Sequence, residues 1–261
     1  MTYSLTRHPF PPAVRRLHLA SREILGVSAA PDHRFLRLRL AQSSSGEFDG
    51  FVSPGGGDHV RVVVGPPDGG EVPFDAEGAP VGDAKTETVV AHEVAQGWID
   101  LDVLVHGHPG SEVGVMGAWA ARAPLGAPAV MMGPKGSVVL TGDPGEVVLA
   151  GDDSAIPAVR RYLRMLGSSI TGHLLLETRF DLAHLGVVPP AGLRVSILDP
   201  DEARPSAALA AALQALPAPE RPRERFVFAC GEQSLVAPAR ALLGDWGIDV
   251  ERAVVKGYWR R

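Results

Sequence analysis

The chain has 261 residues, 45% hydrophobic and 21% charged, enough apolar mass for one large or two smaller buried cores and too much for extended disorder. With Asp+Glu 30 against Lys+Arg 25, the net charge of -5 offers no basic field to neutralise nucleic-acid phosphates, so no nucleic acid partner is expected. No apolar run approaches the roughly 20 residues that cross a bilayer, and MTYSLTRHPF carries no hydrophobic signal core, so a cytoplasmic protein with no membrane partner is expected.

Short β-type runs come first, divided by glycine and proline: HRFLRLRL (33–40), DHVRVVV (58–64), TETVVAHEV (86–94), WIDLDVLV (98–105) and PAVMMG (128–133). In WIDLDVLV, Ile99, Leu101, Val103 and Val105 alternate with a polar face that carries Asp100 and Asp102, the period of a half-buried strand. The two acids read as a solvated strand face rather than an acid–base pair. Several such strands at short spacing suggest a barrel. His106 and His108 share a strand face and could be half of a metal site, but no acid–histidine set completes it, and no metal is expected.

Past residue 143 the rhythm changes, and strands begin to alternate with helices. EVVLAG precedes the helical SAIPAVRRYLRML; HLLLET and RVSILD lead to PSAALAAALQAL; RFVFAC is followed by EQSLVAPARALLGDW; and ERAVVKGYW closes the chain. This pattern predicts a parallel sheet, with ligands bound outside the carboxyl ends of its strands, at AGDDSAIP and ACGEQS. The expected domains are therefore 1–142 and 143–261. Gly151 ends one strand, and Asp152, Asp153 or Ser154 can cap the next helix, or its amides can receive a phosphate or ribose. Gly231 and Glu232 repeat the arrangement. VRRYLRML reads as a helix with a solvated basic face. Cys230, the single cysteine, excludes an internal disulfide and reads as a buried inert thiol.

GWIDLDVLVHG (97–107), VLAGDDSAIPAVRRYL (148–163), FVFACGEQSLVAPARALL (226–243) and the closing GYWRR together resemble the siderophore-interacting protein family, flavin-dependent ferric-siderophore reductases, in order and spacing over nearly the whole chain. The resemblance implies a six-stranded antiparallel barrel of the flavin-reductase type that holds FAD, followed by a parallel-sheet α/β domain that receives NAD(P)H. It also implies a ferric siderophore as the small-molecule partner, reduced between the two domains to release iron. His106 and Gly107 match the family's His-Gly. Gly151, Asp152, Asp153, Ser154, Gly231 and Glu232 fall on its nicotinamide-side turns. Lys256, Tyr258, Trp259 and Arg260 lie on its terminal motif, where packing and contact with an anionic, aromatic chelate are both open readings. A monomer or weak dimer is expected.

The chain departs from the family at the flavin signature Arg-x-Tyr-Thr-x-Arg. Its counterpart is KTETVV, which puts Lys85 at the first arginine, Thr86 after it, Glu87 at the tyrosine, Thr88 at the threonine and Val90 at the second arginine. A carboxylate offers no π-face to a flavin ring, and valine cannot bridge phosphate oxygens as an arginine fork does. HGHPGSEVGVMGAWAARA also inserts residues, among them Glu112, into the loop expected to hold the pyrophosphate. Two readings follow: a reductase that passes electrons from NAD(P)H through FAD, or a flavin-free relative that binds a small molecule or catalyses a non-redox step in natural-product assembly.

Overall fold

The computed structural model describes residues 2–28, 33–106 and 114–261. The chain divides into two compact units, Arg7–Ser137 on one side and Met1–Thr6 with Val138–Arg261 on the other.

The first unit is a closed six-stranded antiparallel barrel. Strand β1 (Tyr3–Pro9) leads in, and the barrel is built from β2 (Val14–Val27), β3 (Arg34–Gln42), β4 (His59–Val64), β5 (Lys85–Glu93), β6 (Trp98–Val105) and, after helix α1 (Val115–Arg122), β7 (Pro128–Met132). The strand order around it is β2-β3-β6-β5-β4-β7. Alternation explains the closure. Leu36, Leu38 and Leu40 of β3 and Ile99, Leu101, Val103 and Val105 of β6 all point into one core with Val60, Val62 and Val89, and α1 adds Met116 and Trp119. Each such aliphatic burial contributes roughly 1.5–3 kcal/mol.

The polar faces of β3 and β6 meet as well. Antiparallel pairing sets Arg37 opposite Asp102 and Arg39 opposite Asp100. Both arginines hold their carboxylates through two nitrogens, at 2.8 and 3.1 Å for Arg37 and 2.8 Å twice for Arg39. This corrects the expected solvated strand face: Asp100 and Asp102 are each only 5% exposed. Stretched-out arginines cover the acids, and the Arg39 guanidinium in turn lies 3.7 Å from the ring centroid of Trp98.

β8 (Gly136–Gly142) pairs with β1 in a two-stranded ribbon. The second unit then runs β9 (Glu146–Asp152), α2 (Ile156–Leu166), β10 (Gly172–Glu177), β11 (Leu193–Leu198), α3 (Ala207–Gln214), β12 (Arg225–Glu232), α4 (Val236–Asp245) and β13 (Ala253–Trp259). These strands form a parallel sheet of order β11-β10-β9-β12-β13. The chain starts in the middle and winds first to one edge, then to the other, so the direction reverses between β9 and β12. That reversal is where such sheets bind ligands. α3 and α4 cover one face through Leu209, Leu213, Ala239 and Leu243, packed on Val148, Ala150, Leu175, Val227 and Ala229. The basic face expected of α2 is not wholly solvated, because Arg160 is 3% exposed and donates to the carbonyl of Leu185 at 2.7 Å.

Candidate functional site

In the barrel unit, KTETVV is β5 from its first residue. Its pairing with β4 sets Lys85 opposite Val62 and Glu87 opposite Val60, both valines of the barrel core. Thr86 and Thr88 pair instead with Arg61 and His59, which are exposed. Strand alternation therefore turns Glu87 toward apolar neighbours and gives the threonines a basic flank. Part of Glu87 stays accessible, yet burial of its carboxyl pushes the pKa up to about 8, Asp102 pushes it further in that direction, and Lys85 opposes. Below that pH the carboxyl is mostly neutral. The charge that argued against a flavin at this strand is thus largely absent, while the missing aromatic face is not replaced. Lys85 makes only a 3.8 Å contact with Asp83, both well exposed. Arg61 and His59 went unnoticed in the sequence, where DHVRVVV reads simply as a strand.

His106 directly follows β6 and stands edge-on to His33, with ring centroids 6.0 Å apart. Gly107, His108 and Glu112 lie outside the described residues. Helix α1 follows, and it starts at Gly114 with no side-chain cap and no acid in its first turn. Among the described residues no acid of its own first turn cancels the partial positive charge of its leading amides, which suits the pyrophosphate of a dinucleotide. The exposed pair Thr86 and Arg61 and the start of α1 are donors whose chemistry suits the anionic half of FAD, whereas Lys85 lies on the opposite face of β5. At position 87 β5 supplies no ring for the flavin to stack on, and its one ring, His92, packs against Phe51.

At the carboxyl edge of the parallel sheet, the two glycine-acid turns interlock. Gly151 on β9 is registered with Cys230 on β12, so AGDDS and ACGEQS sit side by side. A Cβ on Gly151 would come 2.8 Å from the carbonyl of Cys230, and one on Gly231 would come 2.8 Å from Asp152 Oδ2, so only glycine permits this approach. Asp152 is the knot. Its carboxylate accepts from the Ser154 amide and hydroxyl, from the Glu232 amide at 2.9 Å and from the Trp259 indole at 2.8 Å. Glu232 accepts in turn from the amides of Ser234 and Arg261. Of the two readings of these turns, capping is what the hydrogen bonds show: the amides of Ser154, Glu232 and Ser234 are already satisfied by the chain's own carboxylates.

The acids at this edge are desolvated. Burial raises the pKa of Asp152 against its four hydrogen bonds, and burial lifts Asp153 to about 7, with Asp152 and Glu177 adding to the rise. Asp153 Oδ1 is buried without a hydrogen-bond partner among the described residues. Glu177, at the end of β10, accepts from the amides of Ser206 and Leu209 and so caps α3 from a different strand.

The terminal motif lies along β13. Lys256 and Tyr258 are half-buried, and burial raises the Tyr258 phenol well above its ordinary value. Trp259 is 43% exposed, tied by its N–H to Asp152, and Arg260 is exposed. Cys230 is fully buried with its thiol pushed up to about 12, an inert core residue. No group of three or more side chains that could hold a metal occurs among the described residues, and no helix there is long and apolar enough to cross a membrane.

Comparison with known proteins places this geometry. Residues 32–138 match the model of the siderophore-interacting FAD-binding domain, and residues 144–261 match that of the siderophore-interacting protein. Ferric vibriobactin reductase ViuB of Vibrio cholerae is 28% identical over 184 residues, 67% of this chain and 63% of that protein. An uncharacterized protein of Mycobacterium tuberculosis is 31% identical over 189 residues, 68% of this chain and 65% of that protein. The matched stretch thus spans less than two thirds of these relatives' length. A siderophore utilization protein from T. fusca superposes with a TM-score of 0.75 at 24% identity, covering 99% of this chain and 97% of that one. The siderophore-interacting protein SipS from Aeromonas hydrophila gives 0.74 at 20% identity over 95% and 99%. Ferredoxin-NADP+ reductase from Plasmodium falciparum gives 0.66 at 10% identity over 94% and 96%, a likeness of fold alone.

Proposed function

The chain belongs to the siderophore-interacting protein family, and from that premise we propose that it is a ferric-siderophore reductase that uses FAD and NAD(P)H to release iron. The observation that carries the reading is the match of the barrel residues 32–138 to the FAD-binding domain, supported by the uncapped, acid-free start of α1. FAD, when bound, would accept electrons in pairs from a nicotinamide and pass them singly to Fe(III).

The chain's own residues would do the rest. Arg61 would balance the charge of the pyrophosphate with the α1 amides, and Thr86 and Thr88 would offer hydroxyls on the same face of the strand pair. Glu87, mostly neutral below pH 8, would leave a cofactor edge unopposed by charge. Trp259, pinned by Asp152, would give an aromatic face to a ligand at the sheet's carboxyl edge. The ferric chelate is the substrate, and the nicotinamide its source of electrons.

The test is direct. The purified protein, reconstituted with excess FAD and freed of unbound flavin, should absorb near ~450 nm as bound flavins do. With NAD(P)H and a ferric catecholate it should then release Fe(II) to a ferrous chelator. A colourless protein overturns the reading. The domain match favours the reductase over a flavin-free relative, for which the absent ring at position 87 and the valine at position 90 speak.

A further inference from the structure

The parallel sheet ends on two edge strands, β11 and β13, and they are finished differently. β13 carries Lys256, and an extra residue, Tyr258, bulges where its pairing with β12 shifts past Gly231. A lysine and a bulge are devices that stop an edge strand from pairing further. β11 has neither. LRVSIL contains no lysine or proline, its register with β10 runs without a break from Leu193 to Leu198, and residues 194–197 are all exposed. Val195 is 42% and Ile197 49% exposed, on a sheet whose inner strands are largely buried. Among the described residues no strand lies beyond β11.

Its backbone shows which polar groups are left over. The even-numbered residues turn toward β10: the carbonyl of Leu198 accepts from the Thr178 amide at 3.0 Å, and that of Gly192 from the Gly172 amide at 3.2 Å. Every second residue of a parallel ladder bonds to the same neighbour, so Val195 and Ile197 direct their N–H and C=O groups away from the sheet. Leu193 drops out of this outer row, because its amide already donates to the Pro190 carbonyl at 3.0 Å. A second β11, antiparallel about a two-fold axis at Ser196, uses the free groups alone. It sets Val195 opposite Ile197 twice, and directly opposed residues share a face, so the two apolar side chains cover each other. An axis at Val195 would instead oppose Ile197 to Leu193, whose amide is taken.

The charges agree with this pairing. Arg194 stands near the start of β11 and Asp199 just past its end, both exposed, and neither has an ion-pair partner among the described residues. The register about Ser196 puts Arg194 opposite the second copy's Leu198 and beside its Asp199, at both ends of the ladder. A parallel pairing would keep like charges together.

We propose that β11 is a docking edge for a second copy of this chain: two molecules pair their β11 strands antiparallel about Ser196 and join two five-stranded sheets into one. The contact is narrow, so the dimer is reversible. It needs neither flavin nor nicotinamide and stands apart from the reductase reading.

Sedimentation velocity of the full chain from about 1 µM to about 1 mM should show a monomer–dimer equilibrium with Kd on the order of 10–100 µM, as expected of a contact smaller than the ~1,200 Å² of stable interfaces. Val195→Lys sets a charge against Ile197, and Ile197→Pro removes an outward N–H without touching the bonds to β10. Each should weaken the dimer about tenfold or more. Arg194→Asp should weaken it about threefold to tenfold, and adding Asp199→Arg to the same chain should restore it, because the exchanged pair attracts again. Val195 and Arg194 are exposed, so their variants decide the matter even where Ile197→Pro fails to fold. A monomer throughout the range, a dimer untouched by Val195→Lys or by a folded Ile197→Pro, or a double variant no tighter than Arg194→Asp alone would each overturn the proposal.

Discussion

Replacing Glu87 by glutamine tests the link between the strand β5 environment and proton binding. The carboxyl titrates at about 8 in the folded protein against 4.5 when exposed, so between those values the native state holds a proton that the unfolded chain has lost. Stability from this group is complete below about pH 4.5 and falls as pH rises through 8, because the native state binds more protons. The full shift, 8 minus 4.5, corresponds to about 5 kcal/mol, and the part of Glu87 open to water reduces the expected effect to on the order of 2–3 kcal/mol. Urea unfolding of parent and Glu87→Gln at about pH 5, 6, 7 and 8 measures it. Asp153, Asp152 and Glu177 are also raised and give both proteins a common slope, so the difference between the two slopes is the quantity of interest. The variant should lose stability less steeply with rising pH. Identical slopes would refute the reasoning, since they would mean a solvated, ionised carboxyl at neutral pH and a charge still facing the cofactor strand.

Three further outcomes are expected. Glu87→Tyr restores an aromatic ring on β5 and should tighten FAD severalfold, in line with about 0.5–1.5 kcal/mol for ring pairing, as read by flavin titration. Asp152→Ala strips the partners from the Ser154 and Glu232 amides and the Trp259 indole, and should cost about 3 kcal/mol in denaturant unfolding, with a change in tryptophan emission. Arg39→Ala uncovers the 5% exposed Asp100, and should cost about 2 kcal/mol, less than a fully buried pair because the Arg39 side chain is 40% exposed; a loss below about 0.5 kcal/mol would mean that water replaces the arginine.

Much of this architecture is legible in local pattern. The period-2 run Ile99, Leu101, Val103, Val105 and the alternation of strands with helices past residue 143 correspond to β6 and to the parallel sheet. What stayed hidden depends on distant partners. VRRLHLASREILGV, the 14-residue β2, has arginines, a histidine and a glutamate that blur its alternation, and shifts of register after Leu19 and Ile24 break the period again, so nothing short of its pairing with β3 reveals it as a barrel strand. Asp100 and Asp102 look solvated until Arg39 and Arg37 arrive across the sheet from 61 and 65 residues away. The same holds for the turns: a local reading offers Asp152, Asp153 and Ser154 as alternative caps, and only the approach of Glu232 and Trp259 singles out Asp152. Ser206, whose backbone takes φ 61, is unremarked in sequence because a left-handed serine has no signature of its own.

Tyr3 belongs to the unit made mostly of the chain's second half. Its ring stacks edge-on to Phe226 and lies under the Arg252 guanidinium, and its hydroxyl sits 2.8 Å from the carbonyl oxygens of both Arg225 and Arg252. Tyr3 and its partners are therefore more than 220 positions apart in the chain. Tyr3 thus fills an aromatic-sized place between Phe226 and Arg252 from a distant part of the chain. Anyone cutting the gene at the boundary near residue 138 to make the α/β half alone would remove that plug, and a fragment that carries residues 2–9 fused ahead of it should express where the bare fragment aggregates.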